Sequence, residues 1–316
     1  MTTFEVRVQA IRLEADRIRS FELRPLTGHD LPAFTAGAHI EVHLANGIVR
    51  SYSLANSPAE GNRYEIAVNK EVSGRGGSGF MHDQVHVGAR LRISAPRNNF
   101  ALREEAEHSV LIAGGIGITP LRSMIARLRA LERPWSLLYA GRDRDSMAFL
   151  EEFARLRELG HAIRIHSDAE AGAPPDLQGV VAKAPPSAHF YCCGPRPMLA
   201  VFEAATSQLP AERVHVEYFA GSQAPALAGE FSVELARSGR VLQVPAGTSI
   251  LDTLLDAGVN VPYSCMEGVC ASCETRVLAG VPDHRDAILS RAERDANDRM
   301  MICCSGARTP RLVLDL

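Results

Sequence analysis

Three cysteines, Cys265, Cys270 and Cys273, stand in a C-x4-C-x2-C pattern within the run YSCMEGVCASC at 263–273. Twenty-nine residues separate Cys273 from Cys303, at the end of RMMIC. Three closely spaced thiols with a distant fourth form the ligand pattern of a plant-type [2Fe–2S] cluster. Thiolates are soft, charged donors, and four of them complete two sulfide-bridged tetrahedral irons. A loop wrapping such a cluster must turn its amides toward sulfur, which gives Gly268 a use where backbone comes close. A structural zinc site usually takes paired C-x2-C units, which are not found here. Buried apolar thiols are the other reading. Cys304 adjoins Cys303. The spacing favours Cys303 as fourth ligand and leaves Cys304 a core-facing neighbour.

A chain of 316 residues has room for two or three domains, and 46% hydrophobic with 22% charged residues supplies an ordinary globular core. No apolar run reaches the length of a membrane span; the longest, at 109–121, is interrupted by glycine. The N-terminal run MTTFEVRVQAIRLEADRIRS has no apolar core behind a basic start, and the expected location is the cytoplasm, which suits seven reduced or cluster-bound cysteines. A net charge of −3 gives no reason to expect nucleic acid. Residues 230–316 carry 12 acidic and 9 basic side chains against 25 and 25 elsewhere, so a partner docking there would present a basic surface.

The run GSQAPALAG at 221–229 is small and flexible and reads as a linker. Ahead of it are two patterns. The first hundred residues alternate apolar and polar positions over short stretches (Phe4, Val6 and Val8; Ile40, Val42 and Leu44) with recurrent turn signals, which predicts a small antiparallel barrel. From residue 109, the apolar runs SVLIAG, WSLLYAG, AIRIHS, AHFYCCG and RVHVEYF alternate with amphipathic segments, which predicts a parallel sheet covered by helices. Beyond the linker, a hairpin over 231–244, a helix over 250–257 capped by Thr248 or Ser249, and a terminal strand LVLDL predict a small β-grasp unit.

In the barrel part, Arg50-Ser51-Tyr52-Ser53 follows a predicted strand and supplies a cation, an aromatic face and two hydroxyls, a set able to hold a planar anionic ligand. Gly74-Arg75-Gly76-Gly77-Ser78 precedes a short predicted helix, whose free amides suit a phosphate. A bare turn and an exposed strand end are the plain readings. In the parallel part, Gly114-Gly115-Ile116-Gly117-Ile118-Thr119-Pro120 leads from a strand into a helix, with Thr119 expected as N-cap and Pro120 as first helical residue. A pyrophosphate would lie there, at the C-terminal end of the strands. Cys193-Gly194-Pro195 ends another strand.

R-x-Y-S, a glycine–serine loop, GGIGITP and CGP, in this order and followed by the four-cysteine pattern, resemble the phthalate dioxygenase reductase and vanillate demethylase reductase family of the ferredoxin–NADP⁺ reductase superfamily. The resemblance covers essentially the whole chain. It implies an FMN-binding barrel over 1–103, an NAD-binding α/β domain over 104–222, a linker over 223–229 and a plant-type ferredoxin over 230–316. Carried over, Arg50, Ser51, Tyr52 and Ser53 contact the flavin, Ala67, Val68 and Asn69 line it, Arg75, Gly76, Gly77 and Ser78 hold its phosphate, and Thr119 and Phe219 complete the site, Phe219 by stacking. Gly114, Gly115, Gly117, Arg142, Asp143, Cys193, Gly194 and Pro195 hold the nicotinamide cofactor. FAD would need an adenosine platform, and no stretch offers one. Arg142 would favour a 2′-phosphate and Asp143 would repel it; the family implies NADH rather than NADPH. Ala271 departs from the glycine that relatives often carry.

The implied reaction moves a hydride from NADH to FMN and single electrons through the cluster to the Rieske centre of a terminal oxygenase. That oxygenase would hydroxylate or demethylate an aromatic or quaternary-ammonium substrate. Donation to a cytochrome P450 or another acceptor is the alternative. A non-catalytic redox sensor would need neither GGIGITP nor CGP and would carry an output domain, and this sequence meets neither condition.

Overall fold

A computed structural model describes residues 3–26, 28, 30–71, 76–219, 225–227, 229–263 and 265–316. The chain divides into two compact units, Met1–Glu217 and Tyr218–Leu316.

The first unit holds two sheets. Strands β1 (Thr3–Ala15), β2 (Ile18–Pro25), β3 (His39–His43), β4 (Val49–Ser53), β5 (Tyr64–Asn69) and β6 (Arg90–Ser94) form an antiparallel sheet in the order β4-β3-β6-β1-β2-β5. Its edge strands β4 and β5 lie beside one another. Just past β4, the Ala55 amide donates to the Glu65 carbonyl on β5 at 2.8 Å, bringing the edges together. Alternation along the strands turns Val6, Val8, Phe21, Leu23, Ile40, Val42, Ile66 and Val68 into one buried core. Helix α1 (Gly77–Asp83) plugs the barrel with Met81.

Strands β7 (Ser109–Gly114), β8 (Trp135–Gly141), β9 (Ala162–Ser167), β10 (His189–Cys193) and β11 (Val214–Glu217) form a parallel sheet ordered β11-β10-β7-β8-β9. The order reverses between β7 and β10, so the loops leaving their C-terminal ends part there, and in such sheets that crevice takes the ligand. Helices α2 (Ile118–Ala130) and α3 (Leu150–Glu158) cover it through Leu121, Met124, Ile125, Leu128 and Phe153. Ala36, Ala67 and Phe100 join that same core from the barrel side, which explains why the two sheets make one compact body.

The second unit is a mixed sheet of β12 (Phe231–Leu235), β13 (Val241–Val244), β14 (Glu274–Ala279), β16 (Arg299–Met301) and β18 (Arg311–Leu314), ordered β13-β12-β18-β14-β16, with a small ladder between β15 (Pro282–Asp283) and β17 (Gly306–Ala307). The helix Ile250–Asp256 packs on it, capped by Ser249, whose hydroxyl accepts from the Asp252 amide at 3.0 Å. This is the arrangement expected of a β-grasp ferredoxin.

Candidate functional site

Arg50–Ser53 form most of β4 itself rather than following a strand, because β4 pairs with β3 through Ser53↔His39. Arg50, Ser51 and Tyr52 are half-buried and Ser53 is buried. The Arg50 side chain lies across the start of α1: a Cβ on Gly77 would come within 2.7 Å of Arg50 Cγ. Gly76 is the N-cap of α1 and occupies the left-handed region at φ 85, with no side chain of its own to cap the helix. A cation thus lies beside a glycine-built helix start, which suits a phosphate. Ser78 Oγ accepts from the Glu71 amide at 3.1 Å. Arg75 lies outside the described residues. On β5, Ala67 faces the parallel-sheet core, Val68 the barrel core, and Asn69 is exposed.

The GGIGITP and CGP segments meet backbone to backbone. A Cβ on Gly114 would stand 2.6 Å from both Met198 Sδ and Pro195 Cδ, and 3.1 Å from Gly194 Cα. A Cβ on Gly117 would collide with the Cys193 carbonyl. Gly115 adopts φ 54 over open space. The expectation for Thr119 is corrected. Gly115–Gly117 form a 3₁₀ turn that runs into α2, Gly117 takes the N-cap position, and Thr119 is already helical. Its hydroxyl donates back to the Ile116 carbonyl at 3.0 Å. The glycines wind into the helix two residues early, so neither Thr119 nor Pro120 starts it.

At the end of β8, the Asp143 carboxylate accepts from the Ser146 amide at 2.8 Å, and the Arg142 carbonyl accepts from Ala169. Both side chains are exposed.

One residue at this site was not singled out from the sequence. Glu217, the last residue of β11, accepts from Ser53 Oγ at 3.4 Å and from Cys193 Sγ at 4.0 Å. Burial pushes its carboxyl up to about 8, with the Ser53 hydroxyl pulling the other way. Cys193 is itself fully buried, and burial above all holds its thiol neutral. Strands β4, β10 and β11 therefore bring a hydroxyl, a thiol and a protonated carboxyl to one place beside the glycine seam.

In the second unit all four predicted ligands are buried and none is in a disulfide. The Cys265 sulfur accepts from the amides of Glu267 and Val269 at 3.3 and 3.4 Å, its own amide donates to Cys270 Sγ at 3.5 Å, and the Cys270 and Cys303 sulfurs lie in reach of it. These donors pull its thiol down despite burial. Cys303 also reaches Cys273. Cys304 instead points its sulfur at the Met301 carbonyl, 3.8 Å away, and against Gly268. Met266, Gly268 and Ala271 all have positive φ, at 56, 70 and 59, which turns the loop's amides inward. Buried thiols linked through Cys265 and Cys303, with the Glu267 and Val269 amides turned to sulfur, are the donor chemistry a thiolate-held cluster uses. Phe219 belongs to this unit and is exposed.

The described part of the predicted linker is not free chain. The Ala226 amide donates to the Cys304 carbonyl at 2.8 Å, and the Leu227 carbonyl accepts from Gly247 at 2.7 Å. No helix among the described residues is long and apolar enough to cross a membrane.

Comparison with known proteins gives two domain matches: a 2Fe-2S iron-sulfur cluster binding domain over residues 233–308 and an oxidoreductase NAD-binding domain over 111–204. The chain is 53% identical to phenoxybenzoate dioxygenase subunit beta of Ectopseudomonas oleovorans, across 100% of this chain and 98% of that protein. Among solved structures, phthalate dioxygenase reductase matches with a TM-score of 0.76 at 39% identity, over 99% of this chain and 98% of that one. An intact type IV self-sufficient cytochrome P450 monooxygenase matches with a TM-score of 0.87 at 36% identity, over 99% of this chain but 41% of that one.

Proposed function

Because the chain belongs to the phthalate dioxygenase reductase and vanillate O-demethylase reductase family, we propose that it carries electrons from NADH to the Rieske centre of a separate terminal oxygenase. Its cofactors are FMN, a [2Fe–2S] cluster and NADH. When bound, FMN accepts a hydride and releases electrons singly, which is the conversion a one-electron cluster requires.

The observation that carries this reading is the meeting of Ser53, Cys193 and Glu217 beside the Gly114–Gly117 turn. Arg50, Ser51, Tyr52 and Ser53 hold the flavin, with Gly76, Gly77, Ser78 and Arg75 at its phosphate. Gly114, Gly115, Gly117, Gly194 and Pro195 form the seam that receives the nicotinamide cofactor, the packed glycines holding the two loops together and Gly115 facing open space. Cys193 lies beside the rings, and Arg142 and Asp143 meet the ribose end. Hydride transfer needs two rings held face to face, not an acid–base pair. Glu217, protonated at neutral pH, keeps a proton in hydrogen-bond reach of Ser53 Oγ without placing a buried negative charge there. Cys265, Cys270, Cys273 and Cys303 hold the cluster. Its unit carries 12 acidic against 9 basic residues, which favours a basic docking face on the oxygenase. The substrate oxidised there is aromatic or a quaternary ammonium compound.

Anaerobic titration with NADH, followed by visible absorbance and EPR, tests the relay. Bleaching of both chromophores with a rhombic reduced-cluster signal is expected. Failure of either to respond to NADH or NADPH overturns the reading. A second acceptor class, a cytochrome P450, is favoured by the 0.87 TM-score to 41% of the chain of a self-sufficient cytochrome P450 monooxygenase. Turnover rates with purified Rieske oxygenase and P450 partners separate the two.

A further inference from the structure

Arg122, in the second turn of α2, lies outside every motif read from the sequence, yet it holds both halves of the first unit. Its Nη1 donates to the Ala55 carbonyl at 3.1 Å and to Glu65 Oε1 at 3.0 Å. Its Nε donates to Glu152 Oε2 at 2.7 Å on α3, and its guanidinium carbon sits 4.5 Å over the Phe149 ring. Ala55 comes two residues after Ser53, and Glu65 two residues before Ala67. One guanidinium is thus bonded to the two barrel segments that continue into the flavin-lining positions. It is carried by the helix whose start is the Gly115–Gly117 turn.

The Ala55–Glu65 connection is itself stiff. Glu65 takes Arg63 on its second oxygen at 2.7 Å, and the Glu65 amide donates to Asn56 Oδ1 at 2.9 Å. A helix start moves with its helix, so the placement of the glycine turn against β4 and β5 depends on what ties α2 to them. The planar fork of arginine satisfies a carbonyl and two carboxylates at once, which a single ammonium does not.

We infer that Arg122 is a positioning residue for hydride transfer: it sets the approach of the nicotinamide to the flavin without touching either. This rests on the reductase function proposed above. The guanidinium opens onto a polar cleft of about 970 Å³ that Glu14, Glu22, Asp145 and Arg155 also line. A shorter cation there stays hydrated and paired, so the R122K holoenzyme folds.

The test is anaerobic stopped-flow reduction of wild type, R122K and R122Q by NADH and by its 4-deuterated form, with flavin and iron content measured on each. The expected result is full flavin and cluster content and NADH affinity within about threefold of wild type. The limiting rate of flavin reduction falls about tenfold or more, and the long-wavelength charge-transfer absorbance of stacked nicotinamide and flavin weakens. R122K lies between wild type and R122Q, and it decides the matter alone should R122Q lose flavin. Wild-type rates and charge-transfer absorbance in R122K and R122Q overturn the role of Arg122 while leaving the reductase reading standing. A wild-type protein that NADH does not reduce overturns both.

Discussion

Ser53 Oγ lies 3.4 Å from Glu217 Oε2, joining the last residue of a barrel strand to the last residue of the parallel sheet. With its carboxyl raised from the ordinary 4.5 to about 8, Glu217 is neutral through most of the physiological range. The folded state holds its proton more tightly than the unfolded chain. Stability from this group is therefore fully present below about pH 4.5 and is lost as pH rises toward 8. Between those pH values wild type loses stability relative to E217Q, which thermal unfolding across pH will display. Flavin reduction by NADH in wild type changes through an apparent pKa near 8, and E217Q shows no such transition in stopped-flow traces.

Neighbouring cysteines separate by their directions. Cys303 reaches Cys265 and Cys273 as well as its neighbour Cys304, while the Cys304 sulfur is directed at the Met301 carbonyl. C303S is expected to lose the cluster and its EPR signal, while C304S retains iron at wild-type stoichiometry. Iron analysis with EPR after dithionite distinguishes the two; loss of iron from C304S but not C303S would reverse the assignment.

A methyl group on Gly117 has nowhere to go, because the Cys193 carbonyl fills the space. Overpacking of this kind costs about 1–3 kcal/mol. In G117A the two loops must part. The expected outcome is loss of NADH-driven flavin reduction with both chromophores still present and still reducible by dithionite.

Ala271 sits at φ 59 in the cluster loop, where a Cβ is strained. Relief of about 1–2 kcal/mol is partly offset by the greater freedom glycine gives the unfolded chain. A271G is expected to slow cluster loss on heating, with a net gain of about 0.5 kcal/mol. The rate of visible bleaching at raised temperature measures it.

The candidate cluster site was legible because thiol spacing is local: three of the predicted ligands lie within nine residues, 265–273, and nothing distant is needed to single them out. The sheets were legible from alternation, since Val6, Val8, Ile40 and Val42 do face one core. Glu217 was not, although one signal existed: a lone acid closes the strand RVHVE directly ahead of an aromatic pair. Its meaning comes from Ser53 and Cys193, each far away in sequence and brought close only by the two sheets. Arg122 was hidden differently. On an amphipathic helix an arginine reads as a solvated face, and only the fold shows that this face meets the barrel. Thr119 misled because the glycines before it wind into the helix themselves.

At the seam Gly117 lies directly on the Cys193 carbonyl, while Gly114 lies on the Gly194 backbone with the Met198 and Pro195 side chains beside it. The contact at Gly117 is backbone on backbone and has no soft element to absorb a mismatch, so the segments around 114–120 and 193–195 behave as a single heritable module despite their separation along the chain. Chimeras made between related reductases will tolerate crossovers that move both segments together. Those that take one segment from each parent will depend on the two parental backbones agreeing to within a fraction of an ångström.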